Sequence, residues 1–217
     1  MYKRQALHRA GKKVILVNCS GSPIGLEPET QKCEAILQAW YPGQQGGKAV
    51  AEVLFGDYNP AGKLPVTFYR NVSQLPDFED YNMTGRTYRY MQDVPLFPFG
   101  YGLSYTTFGY GKTVLDKNEL TAGQSLKLTV PVTNTGKRNG EEVVQVYLRK
   151  QGDAEGPIKT LRAFKRVSIP AGKTVNVEFD LKDKELEWWD DQSNTVRVCP
   201  GNYDICLLYT SPSPRDA

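Results

Sequence analysis

Apolar residues alternate with polar ones from Thr106 onward, and this period of two constrains the fold more than any other feature of the sequence. The clearest apolar sets are Leu126, Leu128, Val130 and Val132; Val144, Val146 and Leu148; and Val175, Val177, Phe179 and Leu181. Turn-rich segments at residues 134–140 and 169–173 separate these sets. Because successive side chains of a strand point to opposite faces, the pattern predicts an antiparallel β-sandwich with about seven short strands.

Residues 6–68 have the mixed pattern of an α/β domain. The continuous apolar run Val14–Asn18 ends in a Ser-Gly-Ser-Pro loop and predicts a buried strand. Residues 34–40 are predicted to be helical because Ile36, Leu37 and Trp40 recur at helical spacing.

A second amphipathic helix is predicted around Ala49–Leu54, and it should end at Gly56, where glycine suits a left-handed cap. Residues 64–68 (LPVTF) follow as a short strand or an extended arm. The predicted fold class is therefore α/β plus all-β: a partial α/β sandwich with the order strand–helix–helix–strand, and then the β-sandwich.

Residues 69–105 lie between these two parts and have no sustained period. They are rich in Pro, Tyr, Asp and Arg. A connection of this length is uncommon unless it packs on another part of the protein or serves its function. We therefore predict an ordered connection.

The two ends differ in character from the rest of the chain. Residues 1–5 (MYKRQ) show no pattern that joins them to the next segment, and residues 206–217 (CLLYTSPSPRDA) follow the strand-like GNYDI without a turn signal. Both ends resemble conceptual translations of a sequencing-library adapter, so native sequence is expected only from about Ala6 to Ile205. The alternative is a natural disordered tail.

Composition argues against several classes of function. No run of about 18 apolar residues is present that could span a membrane, and the basic start lacks the apolar part of a secretory signal. The net charge is only +3 and basic residues do not interleave with aromatic ones, which argues against nucleic-acid binding. With His8 as the one histidine and no C-x-x-C spacing, neither a metal site nor a cofactor is predicted.

Cysteines and glycines have structural explanations. Free buried thiols are favoured over a Cys19–Cys33 disulfide, and the other two cysteines are Cys199 and Cys206. Three glycines precede the second predicted helix, but no Lys-Ser/Thr follows in the register of a phosphate-binding loop. Close packing is therefore predicted for Gly43, Gly46 and Gly47.

Three long segments carry a resemblance to a known family. They are AILQAWYPGQQGGKAVAEVLFGDYNPAGKLPVTF at 35–68, GRTYRYMQDVPLFPFGYGLSYTTF at 85–108, and VPVTNTGKRNGEEVVQVYLR at 130–149. In this order they resemble the C-terminal half of family 3 glycoside hydrolases. The variant at 18–44 (NCSGSPIGLEPETQKCEAILQAWYPGQ) is most similar to the β-xylosidase branch, with β-glucosidases next.

The resemblance implies three domains with different roles in a longer protein. A (β/α)8 barrel with the aspartate nucleophile comes first, an α/β sandwich domain with the acid/base carboxylate follows, and a fibronectin type III-like domain comes last. Residues 6–68 would be the later part of the α/β sandwich domain, and residues 106–205 the fibronectin type III-like domain without its last strand. The resemblance therefore places no catalytic, substrate-binding or metal residue in this chain.

The acidic residues are weighed separately, because retaining glycoside hydrolysis uses two carboxyl groups roughly 5–5.5 Å apart. The candidates are Glu27, Glu29, Asp57, Asp77, Glu79, Asp80, Glu141, Glu142, Asp190 and Asp191. Glu27 and Glu29 precede a predicted helix, where the helix dipole favours negative charge. Asp57 is expected to hold a turn through a hydrogen bond from its side-chain oxygen. Glu141 and Glu142 open a strand and are expected to be solvated. Structural roles are favoured throughout.

Two polar motifs remain open. Trp188–Asp191 (WWDD) could be a sugar platform, but core and edge packing is favoured because adjacent strand residues point oppositely. Arg86 and Arg89 either pair with nearby acids of the connection or clamp it onto the missing barrel near the substrate entrance. The sequence favours neither interpretation of the two arginines over the other.

Two functions compete at this level. One is a fragment of an exo-acting β-glycosidase that releases terminal β-linked xylose or glucose, inactive alone, with carbohydrate bound through the missing barrel. The other is a non-catalytic carbohydrate-binding or adhesion module. The localisation is open, and a secreted or periplasmic enzyme is compatible with the sequence. The strand that begins at Tyr203 is expected to run to about Leu208, before Ser211–Pro214 stops it. The missing final strand should leave its neighbour with unpaired backbone groups, so self-association through that exposed sheet edge is predicted.

Overall fold

The helices and strands fall into two units within residues 2–208, the part of the chain that the computed structural model describes. The first unit comprises residues 2–58 and 64–99. The second unit comprises residues 59–63 together with residues 100–208.

The first unit is an α/β arrangement around two parallel strands, β1 (Ile15–Asn18) and β2 (Ala35–Gln38). Helix α1 (Tyr2–Arg9) precedes β1, helix α2 (Glu27–Lys32) connects the strands, and helix α3 (Gly46–Phe55) follows β2. Parallel neighbours cannot be joined by a tight hairpin, so the chain crosses back through α2. The predicted α/β class is confirmed, and a strand is present within Val14–Asn18. Its predicted burial is wrong, because Ile15 is exposed and the other three residues of β1 are half-buried.

The helix predicted over residues 34–40 is wrong, because this segment contains strand β2. Ile36 and Leu37 pair in parallel register with Leu16 and Val17 of β1. A short apolar run that lacks alternation cannot be told from a helix by periodicity alone. Trp40 has a φ of 55°, which lies outside the right-handed helical region. The order of elements is therefore strand–helix–strand–helix.

The second predicted helix is confirmed as α3. It ends at Gly56, which has a φ of 83° and donates its backbone N–H to the carbonyl of Val53. Residues 64–68 contain a bend at Pro65 and Val66 and no strand, and Phe68 makes an isolated antiparallel bridge to Phe97. A 3-10 turn (Val72–Gln74) and the one-turn helix α4 (Thr87–Tyr90) are the regular elements of the segment that follows.

The second unit is a sandwich of two antiparallel sheets. Its strands are β3 (Phe108–Tyr110), β4 (Val114–Leu115), β5 (Leu126–Asn134), β6 (Gly140–Lys150), β7 (Thr160–Ile169), β8 (Thr174–Leu181), β9 (Trp188–Asp190), β10 (Thr195–Arg197) and β11 (Tyr203–Leu208), with helix α5 (Asp183–Leu186) before β9. One sheet has the order β11–β6–β7, and in the other β3, β4 and β8 all pair with β5. These sheets hold the seven strands that the sequence predicts, and β9 and β10 form a separate hairpin.

The apolar positions of the alternating pattern form the core of the sandwich. Leu128, Val130 and Val132 of β5 face Val144 and Val146 of β6, and all five are fully buried. Each such side chain contributes about 1.5–3 kcal/mol by leaving water. The alternation therefore determines which face of each sheet points into the core of the sandwich.

Strand β11 runs to Leu208, as the sequence predicts. Ile205 and Leu207 lie on one face and pack against the sandwich core, while Cys206 is exposed. Within residues 2–208, β6 is the one strand that pairs with β11. The predicted stop at Ser211–Pro214 lies outside the described residues, and self-association through this edge stays a prediction.

Candidate functional site

The acidic residues of helix α2 hold local structure. Glu27 and Glu29 lie in its first turn, where the helix dipole favours negative charge, as predicted. Glu27 pairs with Arg70 at 3.4 Å, and Glu29 pairs with Arg4 at 3.1 Å. Both carboxylates are engaged in ion pairs with basic side chains of the same unit.

The acidic residues of the segment after Phe68 close local turns. Asp77 accepts a hydrogen bond from the backbone N–H of Glu79 at 2.9 Å. Asp80 accepts one from the backbone N–H of Asn82 at 2.9 Å, and this bond lowers the pKa of Asp80. These side chains hold the backbone of the connection, which is a structural role.

Asn59, and not Asp57, is the residue of GDYNPAG whose side chain makes several hydrogen bonds, and all of them go to distant parts of the chain. The Asn59 side-chain oxygen accepts hydrogen bonds from the Ser104 hydroxyl at 2.9 Å and from the Tyr105 N–H at 2.7 Å. Its amide donates to the carbonyl of Asn139 at 3.0 Å. Asp57 is exposed, and its carboxylate has no hydrogen bond to any residue in the described range 2–208. The structural role predicted for Asp57 is wrong at this residue.

Glu142 is buried, which corrects the prediction that it is solvated. Its side chain is 1% exposed, and its carboxylate lies 3.4 Å from the ammonium nitrogen of Lys63, whose side chain is 7% exposed. The Tyr110 hydroxyl donates to its other oxygen at 3.2 Å, and Lys63 also donates to the Gly102 carbonyl at 3.0 Å. Burial lowers the pKa of Lys63, and the attraction of Glu142 opposes that change.

The sequence contained the signal for this burial. Glu142 is two residues before Val144, so it is in phase with the core face of β6. Its neighbour Glu141 points the other way, is partly exposed, and pairs with Arg166, in line with the prediction. The burial of Lys63 could not be predicted in this way, because it depends on residues 100–102, which are distant in sequence.

The glycine-rich segment FGYG lies close to the same buried pair. The Gly100 carbonyl accepts a hydrogen bond from the Gln145 amide of β6 at 3.2 Å. A Cβ atom at Gly102 would meet the Gly62 carbonyl oxygen at 2.2 Å. The backbones approach so closely that no side chain fits, which explains a glycine at this position.

The glycines before α3 differ from the prediction in two of three cases. A Cβ atom at Gly46 would meet the Cβ of Pro42 at 2.3 Å, so close packing is confirmed there. At Gly43 and Gly47 a Cβ would meet nothing within 4 Å. The predicted close packing is therefore wrong for these two glycines. Gly43 lies in the turn before α3 and Gly47 in the first turn of the helix, and both are exposed.

Arg86 and Arg89 form no ion pair with an acidic residue in the part of the chain that is described. Arg86 donates to the backbone carbonyls of Asn82, at 2.8 Å, and of Asp80. The Arg89 guanidinium lies 5.9 Å from the centroid of the Tyr90 ring, and its Nε is buried without a hydrogen-bond partner among residues 2–208. The charge of Arg86 nevertheless adds to the lowering of the Asp80 pKa, after the hydrogen bonds from Asn82. The clamping interpretation stays a prediction.

The two tryptophans of WWDD point in opposite directions, as predicted. Trp188 is 4% exposed and packs with Leu148 and Cys199 in a small core. Its indole N–H donates to Asp153 at 2.8 Å, and its ring meets that of Tyr203 edge-on at 6.0 Å. Core packing is confirmed for this residue.

Trp189, in contrast, lines an open groove of about 360 Å³. The residue is 50% exposed, and its indole N–H donates to the Asp191 carboxylate at 2.8 Å. The other side chains of the groove come from the C-terminal ends of strands β6 and β9 and from the residues that follow them: Lys150, Gln151, Asp153, Asp190, Asp191 and Gln192. We name this region the Trp189 groove.

The Asp190 carboxyl should titrate at about pH 2, because hydrogen bonds from Ser193 and then Arg197 lower its pKa from 3.8 to about 2. A lowered folded-state pKa means that these bonds stabilise the hairpin above pH 3.8 and that the stabilisation is lost as the pH falls through about 2. An NMR titration of the Asp190 carboxyl carbon measures this value. Ser193→Ala should raise it, whereas Thr195→Ala in the same hairpin should not. A titration midpoint near 3.8 in the unaltered protein would contradict the expectation.

The residues considered for metal binding are dispersed. Within residues 2–208 no group of three or more His, Cys, Asp or Glu side chains could hold a metal ion, and His8 is exposed on α1. All four cysteines are free, but Cys19 is exposed and Cys33 half-buried, so the predicted burial of these thiols is wrong. None of the helices described has the length and apolar content to cross a membrane.

Comparisons with families and curated proteins agree with the sequence resemblance. The profile of the glycosyl hydrolase family 3 C-terminal domain matches residues 4–105, and that of the fibronectin type III-like domain matches residues 142–209. A xylan 1,4-beta-xylosidase of Xylanibacter ruminicola is 57% identical over 212 residues, which cover 98% of this chain and 24% of that protein. A periplasmic beta-glucosidase of Salmonella typhimurium is 40% identical, over 93% of this chain and 28% of the relative.

The chain spans about a quarter of the length of these relatives, 24% and 28% respectively. The alignment with the Xylanibacter protein covers 98% of the chain, so it includes part of the ends for which an adapter origin is predicted. That origin, like the predicted domain boundaries, stays a prediction.

Solved structures show the same fold. A β-glucosidase from Erythrobacter marinus is 40% identical with a TM-score of 0.82, over 96% of this chain and 28% of that chain. A β-glucosidase from Chaetomella raphigera is 32% identical with a TM-score of 0.85, over 96% of this chain and 33% of that chain. The predicted fold, an α/β domain followed by a fibronectin type III-like sandwich, is confirmed.

Proposed function

Because the chain belongs to glycosyl hydrolase family 3, we propose that it is the accessory C-terminal part of an exo-acting β-glycosidase. The whole enzyme would release terminal β-linked xylose or glucose from short chains. The carbohydrate would bind mainly through a barrel outside these residues, and no cofactor is needed for two-carboxylate hydrolysis.

The observation that carries this proposal is the extent of the match to relatives named as β-xylosidases and β-glucosidases. A Formosa agariphila beta-xylosidase, for example, is 42% identical over 94% of this chain, which is 29% of its own length. Both domains are matched, in the same order as in the family. This supports a glycosidase more strongly than a free-standing adhesion module.

The state of the carboxylates supports the same proposal. Those of Glu27, Glu29 and Glu142 are held in ion pairs, and those of Asp77 and Asp80 close turns. A retaining mechanism needs one ionised nucleophile and one protonated acid facing the same sugar. We therefore infer that both catalytic groups are supplied by residues outside this chain.

The test is the intact enzyme, obtained by recovering the complete gene. It should hydrolyse 4-nitrophenyl β-xyloside, β-glucoside, or both, and the ratio of kcat/KM values would identify the preferred sugar. Asp57→Asn and Asp77→Asn in the intact enzyme should change kcat by less than about twofold, because neither carboxylate is assigned to the chemistry. An open reading frame without an upstream barrel, or loss of activity on either change, would refute the proposal.

A further inference from the structure

We propose that the Trp189 groove binds one pyranose unit of a β-linked polysaccharide. The class of ligand rests on the proposed function, whereas the location rests on the geometry of the groove alone. The proposal assigns a role to a feature that the family resemblance and the core packing of Trp188 leave unexplained.

The hairpin presents Trp189 as a fixed aromatic platform. Trp188 anchors the inner face, where Asp153 binds its indole N–H at 2.8 Å and the Arg162 guanidinium lies 5.2 Å from its ring. Adjacent strand residues point oppositely, so anchoring Trp188 directs Trp189 to solvent. Val196 is directly opposite Trp189 on β10 and is exposed on the same face. Trp189 and Val196 therefore form an exposed apolar surface whose position is fixed by the anchored hairpin, so ligand binding should cost little conformational entropy.

The orientation of the exposed ring is fixed as well. The hydrogen bond from the Trp189 indole N–H to Asp191 restrains rotation of the side chain. Asp190, between them in sequence, is bound by Ser193 and Arg197 at 2.5 and 2.7 Å, which fixes the turn of the hairpin. Restrained aromatic rings bind ligands with less loss of conformational freedom.

Polar groups remain available at the rim of the groove. The second carboxylate oxygen of Asp191, the amide of Gln192 and the ammonium of Lys150 make no hydrogen bond to other residues in the range 2–208. The carboxylate oxygen accepts hydrogen bonds, the ammonium donates them, and the amide does both. A pyranose ring has an apolar face of C–H groups and a rim of hydroxyls, so it matches an aromatic face bordered by an acceptor, an amide and a cation.

Affinity electrophoresis of the 217-residue chain in native gels tests the proposal. Soluble β-1,4-xylan or hydroxyethyl cellulose in the gel should retard the protein, whereas α-linked dextran should not. Trp189→Ala should weaken the binding by roughly tenfold or more, as expected for removal of a central aromatic contact. Phe164→Ala is the matched control, because Phe164 is a 67% exposed aromatic residue of β7 outside the groove.

Two further variants separate stacking from a loss of folding. Trp189→Phe retains an aromatic face and should retain most of the affinity, whereas Asp191→Asn should weaken binding less than Trp189→Ala. The proposal is overturned if the unaltered chain is not retarded by either β-linked polymer, or if Trp189→Ala and Phe164→Ala behave alike. Hydrolysis of small aryl glycosides by the intact enzyme does not require the groove, so that assay reports on the proposed function separately.

Discussion

Replacing Glu142 with glutamine is expected to destabilise the second unit by about 3–5 kcal/mol, since the change leaves a buried ammonium without its counter-charge. Lys63 is 3.4 Å from the Glu142 carboxylate, and both side chains are almost fully buried. The Tyr110 hydroxyl would also lose a charged acceptor. Urea denaturation followed by circular dichroism measures the change in the free energy of unfolding.

Glu141→Gln is the control for this experiment. Glu141 is the preceding residue, of the same type, and forms a partly exposed pair with Arg166. Exposed pairs contribute about 1 kcal/mol or less, so its removal should have a small effect. Similar losses for both variants would show that burial of the Lys63–Glu142 pair is not what stabilises the unit. A Lys63→Met/Glu142→Leu double variant, which removes both charges, should recover most of the stability.

The isolated chain is expected to hydrolyse aryl β-xylosides and β-glucosides at least about 10⁶-fold more slowly than the intact enzyme. Retaining hydrolysis requires a carboxylate nucleophile and a carboxylic acid that protonates the leaving group, and the chain is proposed to lack both. Release of 4-nitrophenol by the purified chain, compared with the intact enzyme at equal molar concentration, measures the ratio.

A contaminating glycosidase is the main source of error in that assay. Turnover that persists through purification and disappears when a single Asp or Glu of this chain is replaced would contradict the expectation. Turnover that survives every such replacement would indicate a contaminant.

Several elements could be predicted from the sequence because their signals are local. Helix α3 has amphipathic spacing and a glycine cap, and β5, β6 and β8 have alternating apolar residues. Even the extension of β11 to Leu208 followed from the period of two. The opposite directions of Trp188 and Trp189 followed from the same rule, but the rule alone did not say which of the two lies in the core.

Strand β2 shows where local reasoning ends. Its residues fit helical spacing as well as they fit a strand, and pairing with β1, some 20 residues earlier, decides the outcome. The arginines show the same limit, because Arg86 contacts backbone carbonyls and not the acidic side chains beside it in sequence.

The apolar face of each long strand follows from the sequence alone, because alternation acts between neighbouring residues and needs no knowledge of the fold. That Glu142 has Lys63 as its partner, and that Asn59 binds Ser104 and Tyr105, depends on the folded chain. These contacts join residues about 45 to 80 positions apart. Burial of a charge is tolerated only where the folded chain brings an opposite charge and hydrogen-bond partners to it, and such partners leave no periodic trace in the sequence.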